Sequence, residues 1–270
     1  MKLLRLSAAI ALGLSVAAAA QAADEVAAVI AKARAYLGSD EALDRIKAVR
    51  YIGTLEGTDA TGKVLKGKLD VTFQSPNRML QVMAFADRIE TTGLDDFTSW
   101  FLEQKSANPA QYRFAARGLD AVTHARASVW ENLAYYKGIE SVGGRVEDAG
   151  TVTVDGKPAH KLIFRHGEKI SFARWFAPAT GQLLLTETED GTAIREEGEM
   201  PVAGVRFPKK TINTPKSGSG SLVIIFDKVI INEPLSEKSF APQLSPPSAT
   251  SLQDALKLPK LGTDLAPARN

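Results

Sequence analysis

The chain has 270 residues, no cysteine and a nearly even charge balance of 33 basic and 31 acidic side chains. Without cysteine there is no disulfide framework, no CxxC motif and no thiol for lipid attachment. Without a basic excess or a basic run there is no electrostatic footprint for nucleic acid, and none is expected as a partner.

The first 22 residues read as a secretory signal. Lys2 and Arg5 precede an apolar stretch from Leu6 to Val16, and Ala20-Gln21-Ala22 forms an A-x-A cleavage site. The stretch is too short and too rich in alanine for a membrane span. Cleavage after Ala22 removes two bases and no acid, leaving 31 residues of each sign. The expectation is a Sec-type exported protein, soluble in the periplasm after cleavage.

Three regions follow: the signal at 1–22, a folded domain over 23–242, and a proline-rich C-terminal tail over 243–270. Glu25–Leu37 is an amphipathic helix, with Val26, Val29, Ile30, Ala33 and Leu37 on one stripe. Gly38 ends it, and a short turn of helix runs on toward Ile46. Strands are predicted at Val49–Glu56, Gly67–Gln74, Arg78–Phe85, Arg88–Gly93 and Thr98–Leu102. In the second of these Leu69, Val71 and Phe73 alternate with Lys68, Asp70, Thr72 and Gln74. The period then lengthens, and Pro109–Arg117 and Leu119–Tyr136 read as helices. Alternation returns at Arg145–Asp155, Lys157–Arg165, Ile170–Phe176, Leu183–Glu189 and Ala193–Met200. Turns at Asp155-Gly156, Pro178–Gly181 and Asp190-Gly191 separate these strands, the mark of an antiparallel meander.

The last hairpin is Arg206–Thr214 and Ser221–Asn232, around the polar turn Pro215–Gly220. Its second strand, LVIIFDKVII, is apolar on both faces over much of its length, so it needs cover on both sides. The fold class is mainly β with helices (α+β). An antiparallel sheet of about ten strands is expected to curve around the two central helices.

Reactive chemistry is sparse. His124, His160 and His166 are the only histidines, and the last two lie too far apart along one strand to share a metal. No HExxH motif occurs, and neither a metal site nor a cofactor is expected. Gly218-Ser219-Gly220 lacks the G-x-S-x-G frame of a nucleophile elbow and reads as a loop. Asp95-Asp96 and Glu196-Glu197 are chain neighbours, so the members of each pair cannot face each other across a cleft. The chain is therefore read as non-catalytic.

What remains is apolar surface. The residues proposed to line a hydrophobic cavity are Leu69, Val71, Phe73, Leu80, Val82, Trp100, Trp130, Leu162, Phe164, Phe172, Trp175, Ile224 and Phe226. Alternation alone does not separate such a cavity from an ordinary packed core. At least one of Trp130 and Trp175 is expected inside the concavity.

Several segments resemble one family. Gly93–Trp100 resembles a D-G-x-x-x-W turn and strand, with Asp96-Phe97 where Asp-Gly is usual. Val154–Leu162 resembles a v-x-G-x-x-a-y-x-L strand pair. Trp175–Leu183 resembles y-f-D-x-x-t-G-L, with Ala177 and Pro178 where an acid is common. These features, over roughly residues 25–242, resemble the outer-membrane lipoprotein-sorting proteins, the lipoprotein carriers of the LolA/LolB type, in a divergent form. The resemblance implies a half-open antiparallel barrel, lidded by helices, that holds acyl chains on its concave face. It implies acyl chains or lipoproteins as cargo. It also leaves room for an envelope protein partner, if the chain is instead a regulatory module of the same fold, like the sensing domain of RseB-type stress regulators. An uncharacterised periplasmic enzyme is the remaining alternative.

Overall fold

The computed structural model describes residues 23–58, 62–218 and 220–241. The signal segment, the tail at 243–270 and Ser219 lie outside the described residues. Among those described, no helix is long and apolar enough to cross a membrane.

Helix α1 covers residues 23–37, and α2 covers Asp40–Asp44. The strands β1 (Ala48–Thr58), β2 (Val64–Gln74), β3 (Arg78–Phe85), β4 (Arg88–Asp95), β5 (Thr98–Lys105) and β6 (Tyr112–Arg117) follow. After α3 (Leu119–Leu133) come β7 (Arg145–Val154), β8 (Lys157–His166), β9 (Ile170–Phe176), β10 (Leu183–Thr188), β11 (Ala193–Val202), β12 (Val205–Thr214) and β13 (Leu222–Ile231). Among the described residues, strand order is β6-β5-β4-β3-β2-β1-β13-β12-β11-β10-β9-β8-β7, thirteen strands in one sheet. The sheet ends on two edge strands, β6 and β7, so it is open and not a closed barrel. Its hairpin connectivity and mainly β character are those expected from the meander pattern.

One sequence expectation is corrected. Pro109–Arg117 does not form a helix; its second half is β6, paired with β5 from Ser99↔Arg117 to Gln104↔Tyr112. Tyr112, Phe114 and Ala116 alternate with Arg113, Ala115 and Arg117, which is a period of two. Its alanines and arginines favour helix locally, but the hairpin ladder to the preceding strand β5 overrides so weak a preference. Only one long helix therefore stands where two were expected in the central segment. That helix, α3, ends at Leu133, short of the expected Tyr136, because Tyr135 and Tyr136 take left-handed φ values of 47° and 71°.

The described residues fall into two compact units. The second unit holds 46–58, 62–133, 209–211 and 220–241, with β1–β6, β13 and α3. Its sheet registers regularly, for example Val49↔Phe73 and Tyr51↔Val71. A bulge interrupts the β1–β13 ladder between Ile52 and Gly53. There a Cβ on Gly53 would collide with the Ile225 carbonyl oxygen, so glycine is required. Trp100 lies over Gly93 on the neighbouring strand in the same way. Its Nε1–H donates to the Phe240 carbonyl at 2.8 Å, fixing the chain after β13. The half-buried Arg50 guanidinium grips the buried Asp70 through Nε and Nη2 at 2.8 and 2.6 Å, and this pairing raises its pKa. Helix α3 packs across β1–β5 and buries Val122, Ala125, Val129 and Trp130.

The first unit holds 23–45, 134–208 and 212–218, with α1, α2 and β7–β11. Its α1 is fixed at the C-terminal half by Arg34. The Arg34 Nη1 donates to the carbonyls of Ala134 and Tyr135 at 3.3 and 3.1 Å. Its Nε reaches Asp40 at 2.5 Å and its Nη2 reaches Asp44 at 2.7 Å. Lys137 also pairs with Asp44 at 2.8 Å. Hydrogen bonding to Lys137, then to Arg34, holds the Asp44 carboxyl below the usual carboxylate range.

Candidate functional site

The second unit carries an elongated cleft of about 890 Å³, within the size range of small-ligand sites. Register builds it. Thr54 sits opposite Lys68 and Ile225, Glu56 opposite Lys66 and Val223, and Thr58 opposite Val64. Residues two apart point to one face, so these side chains share a face, joined by Ala84 opposite Lys68. Val64 and Ile225 are 54% and 42% exposed, unusual for β-branched apolar groups on a sheet. Lys66 pairs with Glu56 at 3.0 Å. Glu56, Lys66 and Lys68 thus form a charged strip on the two inner strands, flanked by Val223 and Ile225 of β13 and by Ala84 of β3. Such a surface can shelter an apolar chain and meet a polar head group; nothing in it is a nucleophile.

The first unit carries two voids beside α1. One, of about 670 Å³, is lined by Val26 and Ile30 of α1 with Tyr136, Ile139 and Val146, and by Arg34, Asp40, Lys137 and Asp148 at its polar margin. The other, of about 150 Å³, touches Val29, Lys32, Phe176, Pro178, Glu25 and His160. Lys32 Nζ donates to the Pro178 carbonyl at 2.6 Å. His160 Nε2 lies 2.8 Å from an Asp148 carboxylate oxygen, and its Nδ1 lies 3.8 Å from Glu25. Glu25, Asp148 and His160 are a set of side chains that could hold a metal ion.

The thirteen residues named from sequence are divided between the units and between sheet faces. In the second unit Leu69, Val71, Phe73 and Phe226 are buried and lie on one face, with Ile224, by register. Tyr51 joins Phe73 and Phe226 there, at ring distances of 6.5 and 5.0 Å. Leu80, Val82 and Trp100 lie on the other face, where Val82 packs with Ala84, Ile89 and Leu80. Trp130 is buried on α3.

In the first unit Phe164 pairs with Phe172 across β8 and β9, beside a fully buried Leu162. Tyr136 packs on Phe164 at 5.9 Å. Trp175 points to the opposite face, into a cluster with Ala159 and Ala173, its ring capped by the Lys161 ammonium at 4.4 Å. None of the thirteen lines any of the three cavities described above. The cleft residues Val64, Val223 and Ile225 were not singled out from sequence. Their signal is present in the doubly apolar run of β13, but Ile225 sits between Ile224 and Phe226, the two residues of that run named as cavity lining, and these face the other side of the sheet.

No protein-family model matches the chain, and no curated protein matches it. Solved structures do match in fold. A DUF1329 family protein from Desulfovibrio piger superposes with a TM-score of 0.53 at 11% identity, covering 80% of this chain and 97% of that one. A LolA superfamily protein from Nitrosomonas europaea gives 0.52 at 12% identity, covering 78% and 97%. A putative outer-membrane lipoprotein-sorting protein domain from Vibrio parahaemolyticus gives 0.51 at 10%, covering 84% and 97%. At this identity the likeness is one of fold: the chain has the LolA-like α+β fold.

Proposed function

We propose that this protein is a periplasmic carrier or binding protein for long-chain amphiphiles: lipids, acyl chains or the acylated ends of lipoproteins. It acts by sequestration, without covalent chemistry. The observation that carries this reading is the cleft on the β1–β2–β3–β13 face, where Val64, Ala84, Val223 and Ile225 lie beside the charged strip of Glu56, Lys66 and Lys68. Each methylene moved from water into such a site gains about 0.8 kcal/mol. A chain of ordinary length then supplies affinity without any reactive residue. Lys66, Lys68 and Glu56 are positioned for the head group, while Val64, Val223 and Ile225 take the chain. The buried residues on the opposite face, Leu69 and Phe226 among them, support this surface as packed core.

The signal-like segment with Lys2, Arg5 and Ala20-Gln21-Ala22 supports export to the periplasm. The LolA-like fold supports the carrier class, since two proteins that share it are named for that superfamily or for lipoprotein sorting. The test is extraction of the protein from native periplasm and mass spectrometry of what co-purifies. A stoichiometric amphiphile supports the reading. A protein that emerges free of lipid, and stays so on incubation with lipid vesicles, removes it.

A further inference from the structure

His160 is 6% exposed, and a carboxylate faces each of its ring nitrogens. Nε2 is 2.8 Å from Asp148 Oδ1, and Nδ1 is 3.8 Å from Glu25 Oε1. A neutral imidazole has one N–H, and an ionised carboxylate only accepts. With the N–H on Nε2 donating to Asp148, the Nδ1 lone pair faces the lone pairs of Glu25. That arrangement calls for a cation between Nδ1 and Glu25. Lys32 borders the same small void, but its ammonium donates to the Pro178 carbonyl.

The gap suits a metal ion. A distance of 3.8 Å is too long for a hydrogen bond. Two donors bound tetrahedrally to one zinc ion at about 2.0–2.2 Å each lie about 3.3–3.6 Å apart, so a side-chain movement of a few tenths of an ångström closes the pair on the ion. The shell behind the ring has the form that metal-ligating histidines take. Gly150 N–H donates to Asp148 Oδ1 at 2.7 Å, and Asp148 accepts from the ring, leaving Nδ1 bare. The void beside it, lined by both Glu25 and His160, leaves room for water to fill remaining positions.

We propose that His160 Nδ1 and the Glu25 carboxylate bind a borderline divalent cation of the zinc class, with Asp148 as the positioning residue. The ion joins the first turn of α1 to β8. The three side chains come from α1, β7 and β8, all in the first unit. The site is separate from the cleft and does not rest on the carrier reading.

The experiment is titration of untagged, metal-stripped protein with Zn2+, with Co2+ as a spectroscopic stand-in and nitrogen NMR of labelled histidine. The expected result is one ion per chain and a metal-induced shift at His160 Nδ1, with Nε2 remaining protonated. Glu25→Gln, an exposed position that leaves folding intact, should weaken binding tenfold or more. His160→Ala should abolish it. Asp148→Asn should weaken it by about 10–100-fold, with a mixed-tautomer signal for His160. Absence of saturable binding by the folded wild type overturns the proposal. So does binding that Glu25→Gln leaves unchanged. A ring that only takes up a proton as pH falls, with or without Zn2+, replaces the metal with a proton.

Discussion

The two units hold a helix against a sheet in opposite ways. In the second, α3 buries Val122, Ala125, Val129 and Trp130, and packing does most of the holding. In the first, Val26, Val29 and Ile30 of α1 are only half-buried, with voids of about 670 and 150 Å³ beside them. There the anchors are polar: Arg34 on two carbonyls and two carboxylates, and Lys32 on Pro178. The lesson is that similar apolar stripes in sequence can be tied down by different forces. One helix should respond to lost volume, the other to lost charge.

The largest expected effect breaks the packed helix. Trp130→Ala removes a buried ring and leaves a cavity, so stability should fall by about 3–5 kcal/mol in urea unfolding. The polar anchor comes next. Arg34→Met keeps the bulk but strips hydrogen bonds from the Ala134 and Tyr135 carbonyls and from two carboxylates. Asp40 and Asp44 reach solvent and recover much of their hydration, so the loss should be about 2 kcal/mol. Proteolysis or hydrogen exchange should locate it in α1.

A pH series sharpens the same contrast. The Asp44 carboxyl is depressed in the folded state by Lys137 and Arg34. A depressed folded pKa means that its contribution is full above the unfolded value, near pH 4, and is lost as pH falls through the folded value. Acid should therefore loosen α1 before α3, read as earlier exchange of α1 amides below about pH 4. The smallest effect is Val26→Ala, expected to cost under about 1 kcal/mol because the side chain already borders a void. A cost as large as that of Trp130→Ala would erase the distinction between the helices.

Much of the fold was legible because turn chemistry is local. Asp155-Gly156 takes the left-handed pair of φ values, 50° and 75°, that a tight hairpin demands. The segment Tyr112–Arg117 is read as helix from its alanines and arginines, while in the structure it is the second arm of a hairpin with β5. The cavity residues were less legible for a geometric reason. Alternation tells which residues of one strand share a face, but not which face that is relative to the next strand. Register supplies the answer: Leu80 pairs with Thr72 and Val82 with Asp70, which puts them on the face away from Leu69 and Val71. The approach of Glu25 to His160 joins residues far apart in the chain, and no local pattern announces it.

The central claim is that an amphiphile occupies the cleft on the β13 face. Adjacent residues of β13 test it most directly, because Ile225 borders the cleft and Phe226 is buried. The measurement is titration with a fluorescent fatty acid of wild type, Ile225→Glu and Phe226→Glu, with circular dichroism of each. Wild type should bind saturably. Ile225→Glu should stay folded and lose affinity tenfold or more, while Phe226→Glu should unfold, since it buries an unpaired charge. No saturable binding by folded wild type, or undiminished binding by folded Ile225→Glu, would contradict the account.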